Sequence, residues 1–235
     1  MAWKRSRNHV EPELRYFLYV SDAKLEMLFD QIPQKLRQRL SGEAKIDLKL
    51  ASLTIKDAGQ PMATRMSKLK VVESYIDCHH QVGTIAHPGN QYFRGTMPMR
   101  WGCLEDFRAE SVERPPLVAM FCGESEGQTV ALVGSRRHVL SEQPLPENAG
   151  VGRSGSSTSY LVAAIAKHVS DLSGTEYDTL GSTERALNTV FWVAGQISGP
   201  HRMMEFIAVP LLEERDGDGR RHRVLATPLH IAHAD

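Results

Sequence analysis

Two short stretches bring hydroxyl and charged groups together in a way that suits ligand binding. The first is Ser21-Asp22-Ala23-Lys24, between an aromatic run and a helical repeat. A hydroxyl and an ammonium at a helix start suit an anion, because the first N–H groups there are unpaired and the helix dipole is positive. Asp22 opposes an anion and suits a cation, or simply caps the helix. The second stretch is Gly134-Ser135-Arg136-Arg137-His138. Adjacent arginines after a bend can clamp a phosphate or carboxylate. Read as a strand, the segment turns Arg136 and His138 to one face and Arg137 to the other. The ordinary alternative is one exposed arginine at a strand end. Ser21, Asp22, Lys24, Arg136 and Arg137 are therefore the candidate ligand-binding residues.

Other constellations carry less. Asp77 and His80 lie three apart on a helical stretch, a spacing that metal ligands use. A dinuclear site would need a second Glu-x-x-His copy, and none occurs. No metal is assigned; Asp77 and His80 are candidates for one, and in the enzymatic alternative Asp22 as well. Gly150 to Ser157 has the glycine spacing of a phosphate loop, but serine stands in place of its lysine. Arg153 is the substitute cation, and a flexible linker is the plainer reading. Lys4, Arg5 and Arg7 cluster early, and Arg220, Arg221 and Arg223 cluster late. These read as a solvated tail and turn, against the alternative of a phosphate-binding patch. There is no H-E-x-x-H and no intact dinucleotide fingerprint. Catalytic residues are often far apart in sequence, so the question of catalysis stays open and the cofactor unknown.

Composition narrows the setting. The 235 residues are 41% hydrophobic and 24% charged, which is ordinary globular usage. Basic and acidic residues balance at 28 each, which argues against a general nucleic-acid binder. Cys78, Cys103 and Cys122 are odd in number and form no C-x-x-C, so a reducing, cytoplasmic compartment is expected. Met1 to Glu13 is polar, unlike a signal peptide. Leu161–Ala166 and Val190–Ala194 are too short to cross a bilayer.

The elements that must hold these residues follow from periodicity. Leu14–Val20 reads as a buried strand, and Leu25, Leu28, Phe29, Ile32, Leu36 and Leu40 recur at helical spacing. Pro33 should kink or split that helix. Lys45–Ile55 alternates as a strand, and Met62 to about His80 reads as a helix with a less clean apolar face. Tyr92–Trp101 alternates again, after a turn at His87-Pro88-Gly89-Asn90, and Asp106 to Pro116 reads as a surface connection. Leu117–Gly123 and Thr129–Leu140 suggest a hairpin, as do Glu205–Glu214 and Arg223–Ala232 around Asp216-Gly217-Asp218-Gly219. Pro210 places its strand at an edge or bulge. Helices are expected at Thr158–Leu172, with His168 on its apolar face, and at Thr183–Ile197. Ser141 to Ser159 reads as a mobile loop or internal boundary. Thr129–Leu140 also faintly resembles His222–Ala232, as if two hairpins held related places in one sheet.

The segments Tyr16–Leu28 (YFLYVSDAKLEML), Leu132–Leu140 (LVGSRRHVL) and Ala226–Asp235 (ATPLHIAHAD) resemble an uncharacterised family of actinomycete proteins. The resemblance implies a bacterial cytosolic setting and supplies no activity, cofactor or site residue. Ala226 stands where that pattern has glycine. The chain is thus expected to form one α+β domain over residues 1–235. Its sheet should be mixed and largely antiparallel, with helices packed mainly on one face. The expected function is binding of a small molecule or protein partner in a regulatory role. The alternative is an enzyme acting on a phosphorylated or nucleotide-like substrate.

Overall fold

The computed structural model describes residues 15–43, 62–104, 118–140, 183–217 and 221–234. The expected strand Lys45–Ile55, the connection Asp106–Pro116, the loop Ser141–Ser159 with Arg153, the helix Thr158–Leu172 with His168, and the cations Lys4, Arg5, Arg7 and Arg220 lie outside them. The described elements, in order, are β1 (Phe17–Val20), α1 (Asp22–Gln31), α2 (Gln34–Glu43), α3 (Met62–His79), β2 (Val82–Thr84), β3 (Tyr92–Leu104), β4 (Val118–Ser125), β5 (Gln128–Ser135), α4 (Thr183–Gln196), β6 (Arg202–Arg215) and β7 (His222–His233). No helix among the described residues is long and apolar enough to cross a membrane.

The class is α+β with a mixed, largely antiparallel sheet, as expected, and the sheet closes on itself. β3 pairs with β4, β4 with β5, β5 with β7, β7 with β6, and β6 returns to β3. β1 extends β7 and β2 extends β3. Strand alternation then sorts side chains into an inside and an outside. Phe93, Met97, Met99, Ala119, Phe121, Val130, Leu132, Met204, Phe206, Val224 and Ala226 fill the interior, together with Tyr19 from β1. The ring is small enough to be packed solid with side chains.

The described helices lie outside the ring, in two places. α4 covers Val118, Met120, Cys122, Ala131, Val133 and Leu225 with Ala186, Leu187, Val190, Val193 and Ala194. Being buried on both faces, β4 and β5 read as unbroken apolar runs rather than as alternating ones. α1 to α3 cover Ile207 and Leu229 with Leu25, Phe29, Ile32, Leu40, Leu69, Val71, Val72 and Ile76. α3 is buried on two sides, under α1 and α2 and over the sheet, which explains its diffuse apolar face. Lys68 is buried there only because Glu26 of α1 receives its ammonium at 2.7 Å.

Local chemistry sets the boundaries. α1 stops at Gln31, because Ile32 precedes a proline and is held extended. The Pro33 carbonyl then accepts from Leu36 and Arg37 and starts α2, so the proline splits the helix. Both hairpins form as expected, and a register shift falls between Pro210 and Leu212. β1 pairs antiparallel with β7, and among the described strands the parallel pairs are β2–β3 and β5–β7. One expectation changes. β5 ends at Ser135, and Arg136–His138 form a 3-10 turn rather than more strand. The Ser135 hydroxyl accepts from the Arg137 N–H at 3.4 Å and favours that turn. The two segments of similar sequence lie side by side, with Val130 opposite Val224.

Gly134 faces inward, and a Cβ there would collide with the Tyr19 hydroxyl. Gly134→Ala is expected to cost about 1–3 kcal/mol, in the range of core overpacking. In a urea-denaturation double-mutant cycle, Tyr19→Phe should recover part of that loss. Strict additivity would show that the two groups do not meet.

Candidate ligand-binding site

The β1–α1 junction brings most of the sequence-selected residues together. Ser21 is 2% exposed and occupies the N-cap position, where its carbonyl accepts from Leu25 and its N–H donates to the Leu229 carbonyl of β7. Its hydroxyl makes no cap bond. It meets the Tyr19 hydroxyl and lies 3.5 Å from the Lys24 ammonium. Lys24 donates to Thr227 Oγ1 at 2.8 Å and to the Pro228 carbonyl at 3.1 Å. Burial pushes the Lys24 ammonium down to about 8. Burial also pushes the Tyr19 phenol well above its ordinary range, outweighing its hydrogen bonds to Ser21 and the Ser135 backbone.

Asp22 is held by a residue the sequence gave no reason to choose. Arg65 of α3 lies 2.6 Å from Asp22 Oδ1 through Nε and 2.8 Å from Oδ2 through Nη2. The Asp22 N–H donates to His138 Nδ1 at 3.3 Å, so the 3-10 turn is docked onto the start of α1. The two selected stretches therefore meet, through His138. Arg136 is half-buried and Arg137 exposed. The strand alternation expected to separate them does not apply to a 3-10 turn. Asp77 pairs with Arg94 at 2.8 Å, and His80 Nδ1 lies 2.7 Å from Gln91 Oε1. Among the described residues, no three His, Cys, Asp or Glu side chains are grouped to hold a metal.

A second ion-pair cluster ties α3 to β7, buried at His230 and open at Arg15. His230 Nε2 lies 2.7 Å from Glu73 Oε1, and Arg15 bridges Glu73 at 3.5 Å and Glu205 at 3.1 Å. Burial would raise the Glu73 carboxyl, but the His230 hydrogen bond and the charges of His230, Arg15 and Arg94 bring it below its ordinary range.

A concave feature lies elsewhere, on the outer face of the ring beside α4. A cavity of about 480 Å³ is lined by Arg100, Cys122, Glu124, Thr129, Phe191, His201, Arg221 and Arg223, among others. Its floor follows from register. Cys122 faces outward, Arg100 is its β3 partner, and Glu124 lies two residues on. Glu124 pairs with Thr129, and Thr129 with Arg223, so all five side chains share one face. Phe191 and Gly195 of α4 form a wall, with His201 and Arg221 also lining the space.

The arginines are placed differently. Arg223 contacts Glu214 through Nε at 2.7 Å and more closely through Nη2, and Nη1 donates to Asn188 at 2.7 Å. Its guanidinium lies 5.8 Å from the Phe191 ring centroid. Those contacts fix the guanidinium and leave N–H groups on Nη1 and Nη2 to spare. Arg100 Nη2 lies 3.4 Å from the Ala194 and Gly195 carbonyls at the end of α4. Arg221 is exposed. Burial pushes the Cys122 thiol up to about 11, so it is protonated at neutral pH and acts as an apolar floor rather than a nucleophile. The late arginine cluster was visible in the sequence as a charge run. Arg100 was not, because only the β3–β4 pairing brings it to the same place.

The chain belongs to DUF7019, a family of unknown function, whose pattern matches residues 15–235. No curated protein and no solved structure matches it.

The Lys24 environment makes stability depend on pH with a definite sign. The ordinary value is 10.5 and the folded value about 8. Between these, the unfolded chain keeps a proton that the folded chain has released, so stability rises with pH across that window. Below pH 8 the cost of burying the ammonium is fully present. Measured by urea denaturation from pH 7 to 10, the wild type should gain stability relative to Lys24→Met. Parallel curves would mean that Lys24 titrates normally.

Proposed function

We propose that this DUF7019 protein binds a small phosphorylated or nucleotide-like molecule in the cavity between α4 and the outer face of β3, β4, β5 and β7. One observation carries the reading: three arginines and a histidine line the space with a single carboxylate. About 480 Å³ falls within the ordinary range for cavities that enclose small molecules. Arg223 is held in place before any ligand arrives, which lowers the ordering cost of binding. A regulatory role in a bacterial cytoplasm belongs to the same reading, supported by balanced charge and reduced cysteines. Ser21, Asp22, Lys24 and His138 then serve as the latch that fixes α1 to the sheet, with Arg136 and Arg137 on the turn that completes it.

A second reading, catalysis on the same class of molecule, has one observation in its favour. Lys24, lowered to about 8, stands beside the Ser21 hydroxyl, as an amine base would. Against it, Ser21 is almost wholly buried, and neither residue lines the cavity.

The first reading is tested by thermal shift and calorimetry with inorganic phosphate, pyrophosphate, ribose 5-phosphate and AMP. A compound present at a hundred times its dissociation constant should stabilise the fold by about 2.7 kcal/mol. Arg221→Ala and Arg100→Gln should each weaken binding about tenfold or more, and added salt should weaken it further. If none of the four compounds binds at millimolar concentration, the proposal fails.

A further inference from the structure

We infer that the ligand of this cavity is a phosphorylated polyol, with its phosphate on Arg221 and Arg223 and a hydroxyl donated to Glu124. The inference rests on the anion-binding reading above and adds what the far side of the cavity recognises.

Glu124 is the observation that a bare phosphate leaves unexplained. It lines the same space as the three arginines, and among the described residues its carboxylate makes no ion pair. A carboxylate at that place repels an inorganic anion, but it is a strong acceptor for hydroxyl groups. The sheet register sets the spacing. Glu124 on β4 and Arg223 on β7 stand in one row, with Thr129 of β5 between them. Two strand spacings put their backbones about 9–10 Å apart. Both residues line the cavity, and a span set by two strand spacings is closer to the length of a pentose phosphate than to a single phosphate group. Thr129, in the middle of the row, offers a hydroxyl that both donates and accepts. Anion at the Arg221–Arg223 end, a neutral centre, and hydroxyls at the other end, where Arg100 of β3 stands with Glu124 and can donate to a hydroxyl oxygen, describe a sugar phosphate, free or as part of a nucleotide.

The test compares ribose 5-phosphate with n-butyl phosphate, an ester of similar length without hydroxyl groups, by calorimetry on the full chain. Wild-type protein should bind ribose 5-phosphate at least tenfold more tightly than butyl phosphate. Glu124→Ala, a change at an exposed position, should bring the two within about threefold, by weakening ribose 5-phosphate and leaving butyl phosphate equal or tighter. AMP separates the two sources of the same chemistry. Equal affinity for AMP and ribose 5-phosphate assigns a sugar phosphate, and tighter AMP assigns a nucleotide. If both esters bind the wild type equally, or Glu124→Ala weakens neither, the polyol assignment is overturned while the anion site stands. If no ester binds, both readings fall together.

Discussion

β6 is hydrogen-bonded along both edges, to β3 through Arg202–Ala208 and to β7 through Met204–Arg215. That double pairing turns a mixed sheet into a ring, and the rest of the architecture depends on it. An open sheet of this length would have two faces to cover and two edges to protect. The closed one has an inside that its own side chains fill and an outside on which helices need cover only part of the surface. The apolar stripe of α4 ends where the floor changes from Met120 and Val133 to Cys122, Glu124 and Thr129. The cavity lies at that change, where the packing of the helix gives way to charged groups.

The two polar centres use their charges in opposite ways. At the junction the cations are turned to groups within the protein: Lys24 donates to Thr227 and Pro228, and Arg65 pairs with Asp22. Such groups hold pieces together, and their partners leave little for a visitor. Beside α4, Glu214 and Asn188 engage one side of the Arg223 guanidinium, and its remaining N–H groups stay available. Among the described residues, Arg100 is anchored by long contacts to the carbonyls of Ala194 and Gly195 near the end of α4. An incompletely satisfied set of cations in a concavity is what separates a binding surface from a structural clasp.

Much of the scaffold was legible because local rules govern it. Asp-Gly between apolar runs marked the β6–β7 hairpin, Pro33 marked the break between α1 and α2, and alternation marked β3. The misreadings came where a side chain overrode the pattern or where the answer was non-local. Ser135 bends the chain into a 3-10 turn, so the alternation assumed for Arg136 to His138 never applies. Arg65 lies 43 positions from Asp22, and no periodicity links them. Arg221 and Arg223 were visible as charges, but which face they share with Arg100 and Glu124 depends on three strand pairings that a single sequence does not encode locally. Binding residues on strands are harder to find than those in loops for this reason: their company is chosen by register.

The pairing of β1 with β7 sets Phe17 beside Ala232, joining opposite ends of the described chain. Ser21 and Lys24 then fasten α1 to Leu229, Thr227 and Pro228, where β7 passes from its neighbour β5 to its neighbour β1. The helical layer of α1 to α3 therefore has no complete floor until β7 has found its place. Contacts this distant carry a large loop-closure cost before they return any stability. Topology therefore favours the local hairpins over the docking of α1 to α3, whose floor depends on distant strands, although those helices precede both hairpins in the chain.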